Sequence, residues 1–93
     1  MKLEDTLKEL ETVCEKKQIR VSYENIGGEL GMGGLCKVKG EHRIIVDKRA
    51  APGDKINVIA AALARFPLED VFISDHTRGL IDRNRKPTET TPA

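Results

Sequence analysis

Residues 56–66 read INVIAAALARF, and this stretch constrains the chain more than any other. Ile56, Ile59, Ala60, Leu63 and Phe66 recur at helical spacing, so they form one apolar stripe that must be covered. The punctuation agrees: Pro52 suits a first helical position, where its missing N–H costs nothing, and Asp54 favours the positive helix end. Pro67 stops the helix after about Phe66. The opposite flank carries Val58, Ala61, Ala62 and Arg65, mostly small side chains that let another helix approach closely. Either the last helix of the same chain fills that strip or a partner does, with a homodimer the simplest partner.

A chain of 93 residues has material for one core of this kind, so the expected organisation is a single α+β domain over residues 1–86. The closing PTETTPA, residues 87–93, is rich in Pro and Thr and is expected to be a disordered tail. Charges are nearly balanced, 16 Lys and Arg against 15 Asp and Glu, which is ordinary for a globular protein. No stretch approaches the roughly 18 apolar residues that span a bilayer, and the first ten residues are acidic and helical rather than a basic leader. A cytoplasmic location with no membrane association is the expectation. Cys14 and Cys36 are too few and too widely spaced for a disulfide framework or a closed zinc site, and read as buried reduced thiols.

Around the central helix the chain divides cleanly. Leu3, Leu7, Leu10 and Cys14 fall on one face of an N-terminal helix ending near Lys16 and Lys17, with Glu4 and Asp5 in its first turn. Ile19, Val21 and Tyr23 then alternate with Arg20 and Ser22, as in a strand buried on one side. After the glycine-rich segment Gly27–Gly34, LCKVKGEHRIIVD reads as a hairpin. A two-residue turn at Gly40-Glu41 mixes polar and apolar residues on each face. A three-residue turn from Gly40 to His42 pairs Val38 with Ile44 and Cys36 with Val46, and is preferred. Beyond Pro67, DVFIS reads as a short edge strand, and Ser74 or Asp75 caps a short C-terminal helix burying Leu80 and Ile81. The predicted architecture is a helix, a three-stranded antiparallel sheet, the core helix, the edge strand and a last helix.

The segment RIIVDKRAAPGDKINVIAAALARF, with its Ile-rich strand, Asp, short loop and apolar helix, resembles the core of ImmA/IrrE-type zinc metallopeptidases. The resemblance implies an α+β fold over about residues 1–72, with Ala61, Ala62 and Arg65 standing where that family carries the histidines and glutamate of H-E-x-x-H. Alanine neither ligates zinc nor accepts a proton, and arginine repels the metal, so the resemblance implies a chain without peptidase chemistry. The stretches Gly33-Gly34-Leu35-Cys36-Lys37-Val38-Lys39-Gly40 and Ala62 to Asp70 also resemble a group of small bacterial proteins with no assigned activity.

Other chemistry finds little support in the residues. GGELGMGG opens a strand and has neither the Lys-Ser/Thr of a P-loop nor the helix of a dinucleotide fingerprint, so it reads as a strand connection. His42, His76 and Cys36 lack metal-ligand spacing, and Cys36 is expected to face the core, where a thiol is inert. In the preferred register Arg20, Lys37, Lys39 and Arg43 share the solvent side of the sheet, an anionic-partner face with Lys48, Arg49, Arg83, Arg85 and Lys86 nearby. That face lacks the aromatic side chains on which single strands stack, and a solvated sheet surface is the plainer account. The expected function is a non-catalytic interaction or regulatory module with an unidentified protein partner and no cofactor. A nucleic-acid-binding module stands second and a metal- or ligand-dependent enzyme third.

Overall fold

The computed structural model describes residues 2–25 and 33–84. Helix α1 spans Leu3–Lys16 and carries Glu4 and Asp5 at its start and Lys16 at its end, complementing the helix dipole. Its buried face is Thr6, Leu10, Val13 and Cys14, while Leu3 is 52% exposed. The buried stripe is therefore turned toward Thr6 and Val13 relative to the expected Leu3-Leu7-Leu10-Cys14 line. Burial of Thr6 is tolerable because its hydroxyl donates to the Lys2 carbonyl at 3.3 Å. The helix closes in a Schellman arrangement: Gln18 sits at φ 61, the Ile19 amide donates to Cys14 O at 2.8 Å and the Gln18 amide to Glu15 O at 3.0 Å. This closure turns the chain so that Ile19, buried beside Cys14, leads into the sheet.

The strands are β1 (Arg20–Glu24), β2 (Gly33–Val38) and β3 (Glu41–Asp47), in the order β1-β3-β2. The sheet is mixed, not antiparallel as expected: β1 runs parallel to β3, with Val21 beside Ile44 and Tyr23 beside Val46. The physical reason lies in β3, which carries the two fully buried strand residues, Ile44 and Val46, and takes the centre. Placing β1 and β2 on its two sides makes β1 and β3 neighbours, and the two pair in parallel. The hairpin turn also differs from both readings. It is a two-residue turn at Lys39-Gly40, with φ 52 and 83, the left-handed pair of a type I′ turn whose twist matches that of the strands. Val38 is thus opposite Glu41, Leu35 opposite Ile44 and Cys36 opposite Arg43.

Helix α2 spans Pro52–Leu63, with Pro52 at its start and Asp54 in its first turn. Ile56, Ile59, Ala60, Ala62 and Leu63 are buried, and the helix ends three residues before Phe66. Phe66 still packs against the core, its ring edge-on to His42 with centroids 4.8 Å apart. Among the described residues DVFIS forms no strand. Its alternation survives, with Val71 and Ile73 buried and Phe72 85% exposed, but the Val71 carbonyl and the Ser74 amide are bonded to side chains and the Val71 amide donates to the Leu68 carbonyl at 3.3 Å. Arg78 donates to the Val71 carbonyl at 3.3 Å and the Ser74 amide donates to Glu9 at 2.8 Å, so these two groups are bonded within the helical layer rather than to a strand. Helix α3, Asp75–Arg83, follows with Ser74 as its cap and buries Ile81, with Leu80 half-buried.

The core lies between one face of the sheet and the helices. Helix α1 packs on β1, α2 packs on β2 and β3, and α3 rests on α1 and α2 without touching the strands. No helix among the described residues is long and apolar enough to cross a membrane. The tail 87–93, Arg85 and Lys86, and most of the glycine-rich segment, residues 26–32, lie outside the described residues.

Candidate interaction surfaces

The strip Val58, Ala61, Ala62 and Arg65 lines one open groove of about 390 Å³, with Gly33, Gly34 and Leu35 of β2 and Asn57 forming the rest. Helix α3 does not contribute to it, because α3 is held elsewhere by its N-terminus. Ser74 and Thr77 are tied to Glu9 of α1: the Ser74 amide and hydroxyl each donate to the carboxylate at 2.8 Å, and the Thr77 hydroxyl donates to it as well. Burial pushes the Glu9 carboxyl up, but the hydrogen bonds from Thr77 and Ser74 and the nearby His76 outweigh it and hold it below its usual range. With α3 anchored there, Ala61 and Arg65 stay exposed and Val58 is half-buried, while Ala62 is buried. The groove is thus lined by small side chains along the flank of α2 and glycines along the adjoining edge strand.

The four basic residues expected on one sheet face are divided by the register. Arg20 and Arg43 are partners across β1 and β3, on the face turned away from Ile44 and Val46. Lys37 pairs with His42, which puts both on the helix side at the sheet's end, and Lys39 stands in the turn. The arginines' face also carries carboxylates: Glu24 pairs with Asp47, and Glu41 lies two residues from Arg43 on the same strand. Cys36 joins this face beside Arg43, half-exposed, rather than pointing into the core. Cys14 is the buried thiol, pushed up to about 12 first by burial and then by the charge of Glu11.

Cys36 and His42 are on opposite faces of the sheet, and His76 is on α3. Among the described residues no group of three or more His, Cys, Asp and Glu is placed to hold a metal ion. At the other flank of α1, the Tyr23 hydroxyl donates to Glu11, and the Lys55 ammonium stands 5.5 Å from the Tyr23 ring centroid. Burial, reinforced by the Glu11 carboxylate, raises the phenol's pKa, so Tyr23 is a neutral donor at any ordinary pH. Lys17 pairs with the exposed Asp70 at 3.0 Å, tying the end of α1 to the loop after α2.

Neither family models nor curated proteins nor solved structures provide a match to this chain. Sequence reasoning placed the α2 strip by helical periodicity alone. It missed the Glu9 clamp, whose partners are 65 and 68 positions away and leave no local signal. It missed the Arg20–Arg43–Cys36 row because that row depends on strand order and on a turn one residue earlier than either register considered.

Proposed function

We propose that this chain is a small non-catalytic interaction module of the cytoplasm, and that it engages a protein partner along the flank of α2. The observation that carries this reading is the groove of Val58, Ala61, Ala62 and Arg65 beside Gly33–Leu35, which among the described residues is left open by the anchoring of α3 on Glu9. Small side chains and glycines let a partner's backbone come close, and Asn57 and Arg65 at the rim supply polar contacts. The positions that the metallopeptidase resemblance assigns to catalysis, Ala61, Ala62 and Arg65, are part of this groove and support binding rather than hydrolysis.

The test is a substitution that fills the groove without touching the core. Ala61→Glu is made at an exposed position, so the circular dichroism spectrum and unfolding midpoint should stay near those of the parent chain. A protein captured from cells by the parent chain, or self-association seen by sedimentation, should be lost with Ala61→Glu and kept with Glu69→Lys on another surface. Retention by Ala61→Glu of every interaction the parent makes refutes the reading. A monomer at all concentrations removes the homodimer form of it.

A nucleic-acid reading keeps only Arg20 and Arg43 on a common face, and the carboxylates Glu24, Glu41 and Asp47 share that face with them. A polyanion laid across the sheet meets these acids, so this reading ranks below the protein partner.

A further inference from the structure

We propose that Arg20 and Arg43 form a binding site for a single phosphate monoester on the face of the sheet turned away from the helices. The two arginines stand apart from the groove, since neither lines it, and only Gly34 borders both.

Arg20 and Arg43 are register partners in adjacent parallel strands, so their side chains leave the same face from Cα atoms about 4.8 Å apart. Like charges placed directly opposite each other on a sheet repel. Among the described residues neither arginine takes part in an ion pair, and the Nε–H of Arg43 is buried with no acceptor. A buried donor without an acceptor is costly, and a guanidinium offers its donors in a fork that suits an oxyanion. Two unneutralised guanidiniums match a phosphate monoester, which carries about −1.5 to −2 at neutral pH, better than a carboxylate or a phosphodiester with a single charge.

The next row of the same face supplies a floor and a further donor. Ser22 stands beside Ile45, and Gly34 stands on the other side of Ile45, where an added Cβ would meet nothing within 4 Å. Beyond that row, Glu24 and Asp47 close off the strip, and Glu41 does so at the other end. These acids limit the site to one phosphate group and oppose a chain of them. The ligand is a phosphorylated small molecule or free phosphate, for which the shared chemistry is the monoester-type dianion.

The experiment uses the full chain, observed by amide and arginine Nε–H NMR while inorganic phosphate replaces chloride at constant ionic strength, at a pH above the second pKa of inorganic phosphate so that the probe is the dianion. The expected result is a saturable shift at Arg20, Ser22 and Arg43, including the Arg43 Nε–H, with a raised unfolding midpoint. Arg43→Lys keeps the charge but loses Nε and the fork, and should bind at least about tenfold more weakly. Arg20→Gln, at an exposed position, should weaken binding by a similar factor, which keeps the test decisive if Arg43 variants fold poorly. Glu69→Gln, at an exposed position after α2, should bind as the parent does. A phosphorylated sugar that shifts the same resonances at lower concentration than phosphate identifies the small-molecule source; equal potency identifies free phosphate. Absence of saturable shifts, equal binding by Arg20→Gln, or tighter binding of an oligonucleotide lacking terminal phosphates than of phosphate overturns the proposal.

Discussion

Replacing Glu9 by Gln tests the contact that orders the helical layer. The carboxylate of Glu9 accepts the Ser74 amide on Oε2 and the Ser74 and Thr77 hydroxyls on Oε1, and Thr77 is fully buried. Hydrogen bonds to an ionised group contribute about 1.5–3 kcal/mol each. Gln retains one acceptor oxygen and turns an NH2 toward the remaining donors. It therefore gives up about one such bond, and Glu9→Gln should lose about 2 kcal/mol at neutral pH. In a domain of this size that lowers the unfolding midpoint by about 8–16 °C. The loss has a defined pH dependence because the folded-state pKa is held below its ordinary value of 4.5. A depressed carboxyl pKa contributes stability that is complete above the unfolded value and disappears as pH falls through the folded one. Urea unfolding from neutral pH downward should show a constant gap between parent and Glu9→Gln until about pH 5, then a closing gap. A double-mutant cycle with Ser74→Ala should return a coupling of at least about 0.5 kcal/mol. Equal stability of Glu9→Gln at neutral pH, or a gap that widens on acidification, refutes the reasoning.

The two glycines of the hairpin should respond very differently to alanine. Gly33 lies at φ +126 with its would-be Cβ 1.9 Å from the Ile45 carbonyl oxygen, so Gly33→Ala should cost about 3 kcal/mol or more by urea unfolding. Gly40, at φ +83 in open space, should cost only about 1 kcal/mol. Conversely, Gln18 at φ 61 and Lys39 at φ 52 occupy left-handed positions without the residues that favour them, so Gln18→Gly and Lys39→Asn should each stabilise by about 0.5–1 kcal/mol in the same assay. Thiol labelling of the native protein should modify Cys36 alone, with Cys14 reacting only on unfolding, because Cys14 is fully buried and its pKa is pushed up to about 12.

Helices were legible because their signals are local. Pro52 and Asp54 mark the start of α2, Ser74 caps α3, and the apolar spacing of α1 fixes its length within its own turns. The sheet was less legible because strand order is a long-range outcome. The alternation in Ile19–Tyr23 reports that one side is buried, and Ile19 is indeed buried, but it contains nothing about whether the neighbour is β2 or β3. Burial alternation in Val71-Phe72-Ile73 was read as a strand for the same reason. Periodicity records which side chains face the core, whereas a strand also needs backbone pairing with a neighbour, and here Arg78 holds the Val71 carbonyl and Glu9 the Ser74 amide.

The candidate sites divide along the same line. The α2 strip depends only on helical geometry, and its four residues meet in one groove. The basic face depends on β2's register, where two physical demands compete. Pairing Val38 with Ile44 and Cys36 with Val46 collects more apolar side chains, and that made the longer turn attractive. The structure instead places Leu35 against Ile44 and Gly33 against Val46, over a Lys39-Gly40 turn whose left-handed residues match the twist of the strands. Gly33 permits this because a side chain there would strike the Ile45 carbonyl. Every side chain of β2 then changes face, which separates Lys37 from the arginines and brings Cys36 beside Arg43. What remains on the outer face is a pair of cations bounded by carboxylates, a pattern matched to one small dianion rather than to a long polyanion.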